Sequence, residues 1–215
     1  MEHKAHIAVH GDRPAIGNLI IVHENRGLDD HIRDVANRFA AIGMNTIAPD
    51  YLSPVGGSVA DADDNIAAIK SISRDHVTET TAHWIKTLET LQPDTGTAIL
   101  GFCWGGGVVN HCATQLSNLK GVIMFYGSAP ADGLVEKIKA PLQLHYAEND
   151  ERINAGREKY LSDLETNRID FTHYIYTDAG HAFFNDSRED RYHGPSAELA
   201  FDRTKDFLMN VFDQK

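Results

Sequence analysis

The sequence predicts an α/β protein: a mostly parallel central sheet with helices on both faces. Strand-like and helix-like segments alternate along the chain, the order that feeds parallel strands through helical crossovers. The strand-like segments are continuous apolar runs, such as GNLIIVH at 17–23 and GVIMFY at 121–126. Runs of that kind belong to strands packed against helices on both sides. At 215 residues and 42% hydrophobic, the chain suits one domain over residues 1–215 with a sizeable core.

Each element has its own signal. Residues 17–23 read as the first core strand. Ile32, Val35, Ala36, Phe39 and Ala40 share one helical face, which predicts an amphipathic helix over 29–42, ended by Gly43. Residues 45–48 form a short second strand stopped by Pro49, and 50–57 is loop. Residues 61–91 are helical, in two pieces broken near 71–75. Residues 97–102 are apolar and β-leaning, and 108–116 can run as a helix. Strands at 121–126, 142–146 and 171–176 complete the sheet, with a helix over 153–166 between the last two. Gly194-Pro195-Ser196 starts a C-terminal helix that buries Ala197, Ala200, Phe201, Thr204, Leu208 and Val211.

Charge excludes two classes of partner. With 31 Asp and Glu against 20 Lys and Arg, the formal net charge is −11. Nucleic acid and anionic lipid both call for a basic face. No apolar run approaches the roughly 20 residues that span a bilayer. The opening residues Met1 to His6 carry no apolar signal core, so no export signal is read. Cys103 and Cys112, if both on one helix, stand about 13 Å apart at about 1.5 Å per residue, too far to bridge. The expected setting is reducing and cytoplasmic, and Cys112 reads as a core residue. His3, His6 and His10 lack metal-ligand partners, so no metal or cofactor is expected. The expected partner is a small molecule, with the chain a monomer or homodimer.

The most informative stretch is Gly101-Phe102-Cys103-Trp104-Gly105-Gly106-Gly107. A buried strand, a tight turn with a cysteine at its tip, and a helix make the nucleophile elbow of an α/β-hydrolase fold, with Cys in place of Ser. The sharp turn needs small residues two before and two after the nucleophile, and Gly101 and Gly105 supply them. A helix N-terminus behind Cys103 favours the thiolate. A thiol nucleophile needs a base, and the base an orienting acid, in the chain order nucleophile, acid, histidine. Asp150 follows the strand at 142–146 and His181 follows the strand at 171–176. Glu148 is the alternative acid, while Asp178 lies too close to His181 in sequence to serve. The oxyanion donors expected are the N–H groups of Asn25, after the first core strand, and Trp104. Glu24 sits at the mouth of the site, with a solvated carboxylate or an ion pair with Arg26 as the plain alternative.

Together these residues resemble the dienelactone hydrolase (carboxymethylenebutenolidase) family. The matches are Val22-His23-Glu24-Asn25-Arg26-Gly27-Leu28, Ala48-Pro49-Asp50, Gly101-Phe102-Cys103-Trp104-Gly105-Gly106, Asn149-Asp150, Gly180-His181-Ala182-Phe183 and the tail from Ala197 through Leu208. The resemblance runs from about residue 19 to residue 212. It implies a Cys-His-Asp triad on a compact α/β-hydrolase core. It also implies a role for Glu24: in that family the glutamate of this loop meets the resting thiol and helps generate the thiolate when substrate binds. A carboxylate beside a thiol would keep it protonated until displaced, and so protected from oxidation. Two departures stand out. The family's substrate-holding arginine four residues after the histidine is Asn185 here, with Arg188 nearby but out of register. The family's other arginine has no match in 54–70, and Arg74 is a distant candidate. The first core strand also lies close to the start, which implies a shortened N-terminal hairpin.

The expected activity is hydrolysis of small carboxylic esters or lactones by Cys103, His181 and Asp150 through a thioester acyl-enzyme. Two rivals are a non-catalytic small-molecule-binding protein on the same scaffold and a thiol redox protein, for which no resolving cysteine lies within reach.

Overall fold

The computed structural model describes residues 4–11, 14–92 and 95–213; His3 lies outside them. Strands β1 (Ala5–Ala8), β2 (Gly17–Val22), β3 (Met44–Pro49), β4 (Thr97–Phe102), β5 (Leu119–Phe125), β6 (Leu142–Asn149) and β7 (Phe171–Gly180) form one sheet. Their order is β1-β3-β2-β4-β5-β6-β7. Only β1 runs antiparallel, against β3; every other neighbouring pair is parallel. The carboxyl ends of β2, β4, β6 and β7 therefore open on the same edge, where loops of such sheets carry function. This is the α/β-hydrolase architecture that the apolar runs predict.

Two apolar layers hold the sheet between helices α1 (Asp30–Ala41), α2 (Ala62–Ile69), α3 (Arg74–Leu91), α4 (Trp104–Gln115), α5 (Glu151–Asn154), α6 (Arg157–Thr166) and α7 (Gly194–Asp213). Alternate residues of β2 divide between the layers. Ile20 and Val22 pack with Val77, Ile85 and Leu88 of α3, Val109 of α4 and Leu164 of α6. Leu19 and Ile21 pack with Ile32, Val35 and Phe39 of α1 and Ala200 and Leu208 of α7. Burying a Leu, Ile or Phe side chain contributes roughly 1.5–3 kcal/mol each, so this double layer fixes the edge on which the site is built.

Local chemistry sets the element ends. Asp29 caps α1 by accepting from the Ile32 N–H at 3.0 Å, and Ser73 caps α3 from the His76 N–H at 3.1 Å. The expected break near 71–75 is thus a new N-cap. Three expectations change. The helix over 153–166 is interrupted at Ala155-Gly156, the weakest helix former of the stretch. Helix α4 begins at Trp104, directly at the elbow. β1 has a half-exposed pattern and no apolar run, so its four residues gave no strand signal. Phe201 of α7 is only half-buried and packs on Phe39, with centroids 5.0 Å apart.

Candidate active site

Cys103 stands between β4 and α4 with φ +54° and ψ −113°, a backbone conformation L-residues rarely adopt. Two hydrogen bonds hold it: its N–H donates to Phe125 O at 3.0 Å, and its carbonyl accepts from the Gly107 N–H at 3.2 Å. Close approach explains the flanking glycines. A Cβ on Gly105 would lie 2.4 Å from the Val22 carbonyl oxygen, and one on Gly101 would lie 2.2 Å from the Gly105 oxygen.

His181 directly follows β7, and its Nε2 lies 3.1 Å from Cys103 Sγ. Its Nδ1 lies 2.5 Å from Asp150 Oδ2. Asp150 is the residue after β6. Its other oxygen caps α5, accepting from the Ile153 N–H at 3.3 Å, so the carboxylate is aimed by the backbone. Glu148 faces elsewhere and accepts from the Asp178 N–H at 2.9 Å. The structure therefore brings Cys103, His181 and Asp150 into one hydrogen-bonded row and leaves Glu148 out of it.

The electrostatics of the row are coupled. Burial works against a charge on His181, but its hydrogen bonds with Asp150 and Cys103 outweigh that and raise its pKa to about 9. Burial likewise works to raise the Asp150 pKa, but the hydrogen bond and charge of His181 outweigh it and hold the carboxyl below its ordinary value. An imidazolium facing sulfur across 3.1 Å is the arrangement that stabilises a thiolate.

Glu24 lies in the loop after β2 and is only 4% exposed. It is neither solvated nor paired with Arg26. Its Oε1 accepts from the Tyr126 hydroxyl at 3.3 Å and its Oε2 from Asn185 Nδ2 at 2.8 Å, while the sulfur turns to His181. Burial raises the Glu24 pKa; the Asn185 hydrogen bond opposes that without cancelling it. Tyr126 is a further site residue, which the sequence signals place only at the end of a strand. Its place at the carboxyl end of β5 was the available signal. Its ring also packs edge-on against His181, with centroids 5.2 Å apart.

Asn25 and Trp104 line the same cavity, of about 550 Å³, as Glu24, Cys103 and His181. Trp104 opens α4, so its N–H has no intrahelical acceptor. A buried histidine sets the loop: His23 Nδ1 donates to Glu24 O at 2.7 Å, and Nε2 accepts from the Tyr51 N–H at 3.2 Å. Its ring stacks on Trp104 at 5.5 Å. This ties the Asn25 loop to the elbow. Cys112 is fully buried in the core and donates to Thr81 Oγ1 at 3.5 Å, so it does not face Cys103. Among the described residues no group of three or more His, Cys, Asp or Glu forms a metal-holding cluster, and no helix is long and apolar enough to cross a membrane.

Known proteins match this chain along nearly its whole length. The model of the dienelactone hydrolase family matches residues 6–212. A Saccharolobus solfataricus protein named "Putative carboxymethylenebutenolidase" is 30% identical over 230 residues, covering 90% of this chain and 89% of its own. A solved structure titled "Putative Dienelactone Hydrolase", from Klebsiella pneumoniae, aligns with a TM-score of 0.84 at 23% identity over 100% of both chains. A dienelactone hydrolase-like promiscuous phosphotriesterase from metagenomic libraries aligns at 0.82 and 18%, covering 97% of this chain and 98% of its own. At those identities the structural likeness shows the fold.

Proposed function

The chain belongs to the dienelactone hydrolase family and is a carboxylic ester hydrolase, and from that premise we propose that it cleaves small esters or lactones with Cys103 as nucleophile, His181 as acid and base, and Asp150 as the orienting acid. The observation that carries this reading is the continuous row of contacts, 3.1 Å from sulfur to imidazole and 2.5 Å from imidazole to carboxylate. The Cys103 thiolate attacks the carbonyl carbon, forming a C–S bond. The N–H groups of Asn25 and Trp104 receive the oxyanion, each such donor contributing roughly 3 kcal/mol in the transition state. The C–O bond breaks as His181 gives its proton to the leaving oxygen. Neutral His181 then takes a proton from water, which attacks the thioester and releases the acid and the thiolate. Asp150 holds the tautomer throughout. Glu24 carries no step of this reading, since its oxygens are engaged by Tyr126 and Asn185 and the sulfur meets His181 instead.

The test is Cys103→Ala. Turnover of p-nitrophenyl acetate and of a simple enol lactone disappears, and the acetyl adduct seen by intact mass in the wild-type protein is lost. Turnover retained in that variant overturns the reading.

A further inference from the structure

The cavity around Cys103 carries a charge opposite to that of the molecule. The chain has a net charge of −11, yet this lining includes Arg26, Lys70, Arg74, Arg152, Arg188 and Arg191. Among the described residues Glu24 is its only carboxylate, and that side chain is buried and already engaged by Tyr126 and Asn185. The cations come from separate parts of the chain. Arg26 is in the loop after β2, Lys70 and Arg74 flank the break between α2 and α3, Arg152 follows Asp150, and Arg188 and Arg191 follow His181. Folding, not a local basic run, brings them to one opening.

Their pairing sharpens the point. Arg188 and Arg191 share Asp190. Among the described residues Arg26, Lys70, Arg74 and Arg152 have no ion-pair partner. Uncompensated like charges around a cleft with low-dielectric walls repel one another and focus the field into it. Unpaired cations such as Lys86, Lys137, Lys139 and Arg168 also stand elsewhere on the described surface, but here four converge on one opening. One carboxylate on a ligand would satisfy one guanidinium; four free cations call for more. Arg74, Arg152 and Lys70 are exposed and Arg26 half-buried. The charge therefore rings the mouth of the cavity.

We propose that the substrate is an ester or lactone carrying two or more negative charges, as a phosphate or paired carboxylates, at the end remote from the scissile bond. Arg26, Arg74 and Arg152 hold that end while the carbonyl reaches Cys103. The proposal rests on the hydrolase reading above.

The experiment compares kcat/KM for four 4-nitrophenyl esters: the acetate, the hemisuccinate, an acyl chain ending in a phosphate monoester, and one ending in a malonate. At least one dianionic ester is expected to exceed the acetate roughly 10-fold or more. Raising NaCl from about 50 to about 500 mM removes most of that gain. A gain for the phosphate ester alone or the malonate ester alone supports the proposal and assigns the anion; a gain for both supports it for either. The variant Arg26→Gln/Arg74→Gln/Arg152→Gln lowers the dianion-to-acetate ratio about tenfold, and the salt series on the unaltered protein reads the same charge without any variant. Turnover of the acetate with no dianion advantage, or an advantage indifferent to salt, overturns the charge proposal and leaves the hydrolase reading standing. No turnover of any of the four overturns the hydrolase reading and this proposal with it.

Discussion

Asn185 Nδ2 donates to Glu24 Oε2 across 2.8 Å, joining two buried side chains 161 residues apart in the sequence. The contact ties the segment after His181 to the loop that carries Asn25. Ser187 braces the same amide, its N–H and hydroxyl donating to Asn185 Oδ1 at 3.1 and 2.6 Å. The side proposed to move the proton and the side proposed to hold the oxyanion are therefore set against each other through one amide.

Asn185→Ala is expected to cost about 1–3 kcal/mol, since it leaves a buried carboxylate with only the 3.3 Å hydroxyl contact from Tyr126. In a domain of this size each kcal/mol moves Tm by roughly 2–4 °C. Calorimetry at neutral pH checks this, and an unchanged midpoint refutes the brace. Asn185→Asp should be worse at neutral pH and recover on acidification, because it sets two carboxylates face to face.

Glu24→Gln tests the same contact from the other end. Burial holds the Glu24 pKa above its ordinary 4.5. A carboxyl raised in the folded state contributes stability that is complete below its unfolded pKa and fades as pH rises through the folded one. Gln cannot ionise and keeps an acceptor for Asn185. The variant should therefore gain about 1 kcal/mol or more over wild type at pH 8, with the gain shrinking toward pH 4.5. If Glu24 also restrains the thiol, iodoacetamide will alkylate Cys103 with a shifted pH profile. An unaltered profile removes Glu24 from that role.

The pattern of legibility follows from what makes a signal local. The elbow is readable because its glycines are demanded by contacts with Val22 and Gly105 backbone a few ångströms away. Cys103, Asp150 and His181 are readable because each falls in the loop or turn after a strand, at the carboxyl edge of the sheet. Arg26, Arg74, Arg152 and Arg188 were not readable as a set, since scattered surface cations carry no periodicity and only the crossovers bring them to one rim. Glu24 was legible as a residue of the site, but its partners Tyr126 and Asn185 were not, because they come from distant segments. β1 escaped because a half-exposed edge strand of four residues has neither an apolar run nor a turn signature.

The row of contacts predicts an alkaline limb in activity. His181 titrates at about 9 when held by Asp150 and facing Cys103. Its proton is needed by a poor leaving group, so kcat/KM for an alkyl ester should fall above about pH 9. A 4-nitrophenyl ester, whose leaving group needs no proton, should fall less. Equal limbs for both substrates would remove His181 as the acid. Asp150→Asn should lower the His181 pKa and release the tautomer, at a loss of roughly 10⁴-fold, the size of the same change in a Ser-His-Asp protease. Stability follows the same signs. The His181 contribution is complete below pH 6.5 and lost as pH rises through about 9. The Asp150 contribution is present above its ordinary 3.8 and lost on acidification below it.

Gly105→Ala separates the elbow's geometry from its chemistry. The added methyl would meet the Val22 and His23 carbonyl oxygens at 2.4 and 2.5 Å, and both belong to backbone, not to a side chain free to turn away. Either α4 lifts from β2 or the loop carrying Glu24 and Asn25 shifts outward. Overpacking of this kind costs about 1–3 kcal/mol or more. The second response would also move Asn25 relative to Trp104. The variant should therefore unfold several degrees earlier and, where folded, lose kcat more than it raises KM, because the proposed oxyanion contact acts in the transition state and not in the bound substrate. Gly156 is the control: a Cβ there meets nothing within 4 Å, and the position interrupts the helix between Asp150 and α6. Gly156→Ala should leave both kinetic constants unchanged and hold or raise Tm. If Gly105→Ala behaved like Gly156→Ala, the close approach of α4 to β2 would not be what holds Cys103 in place.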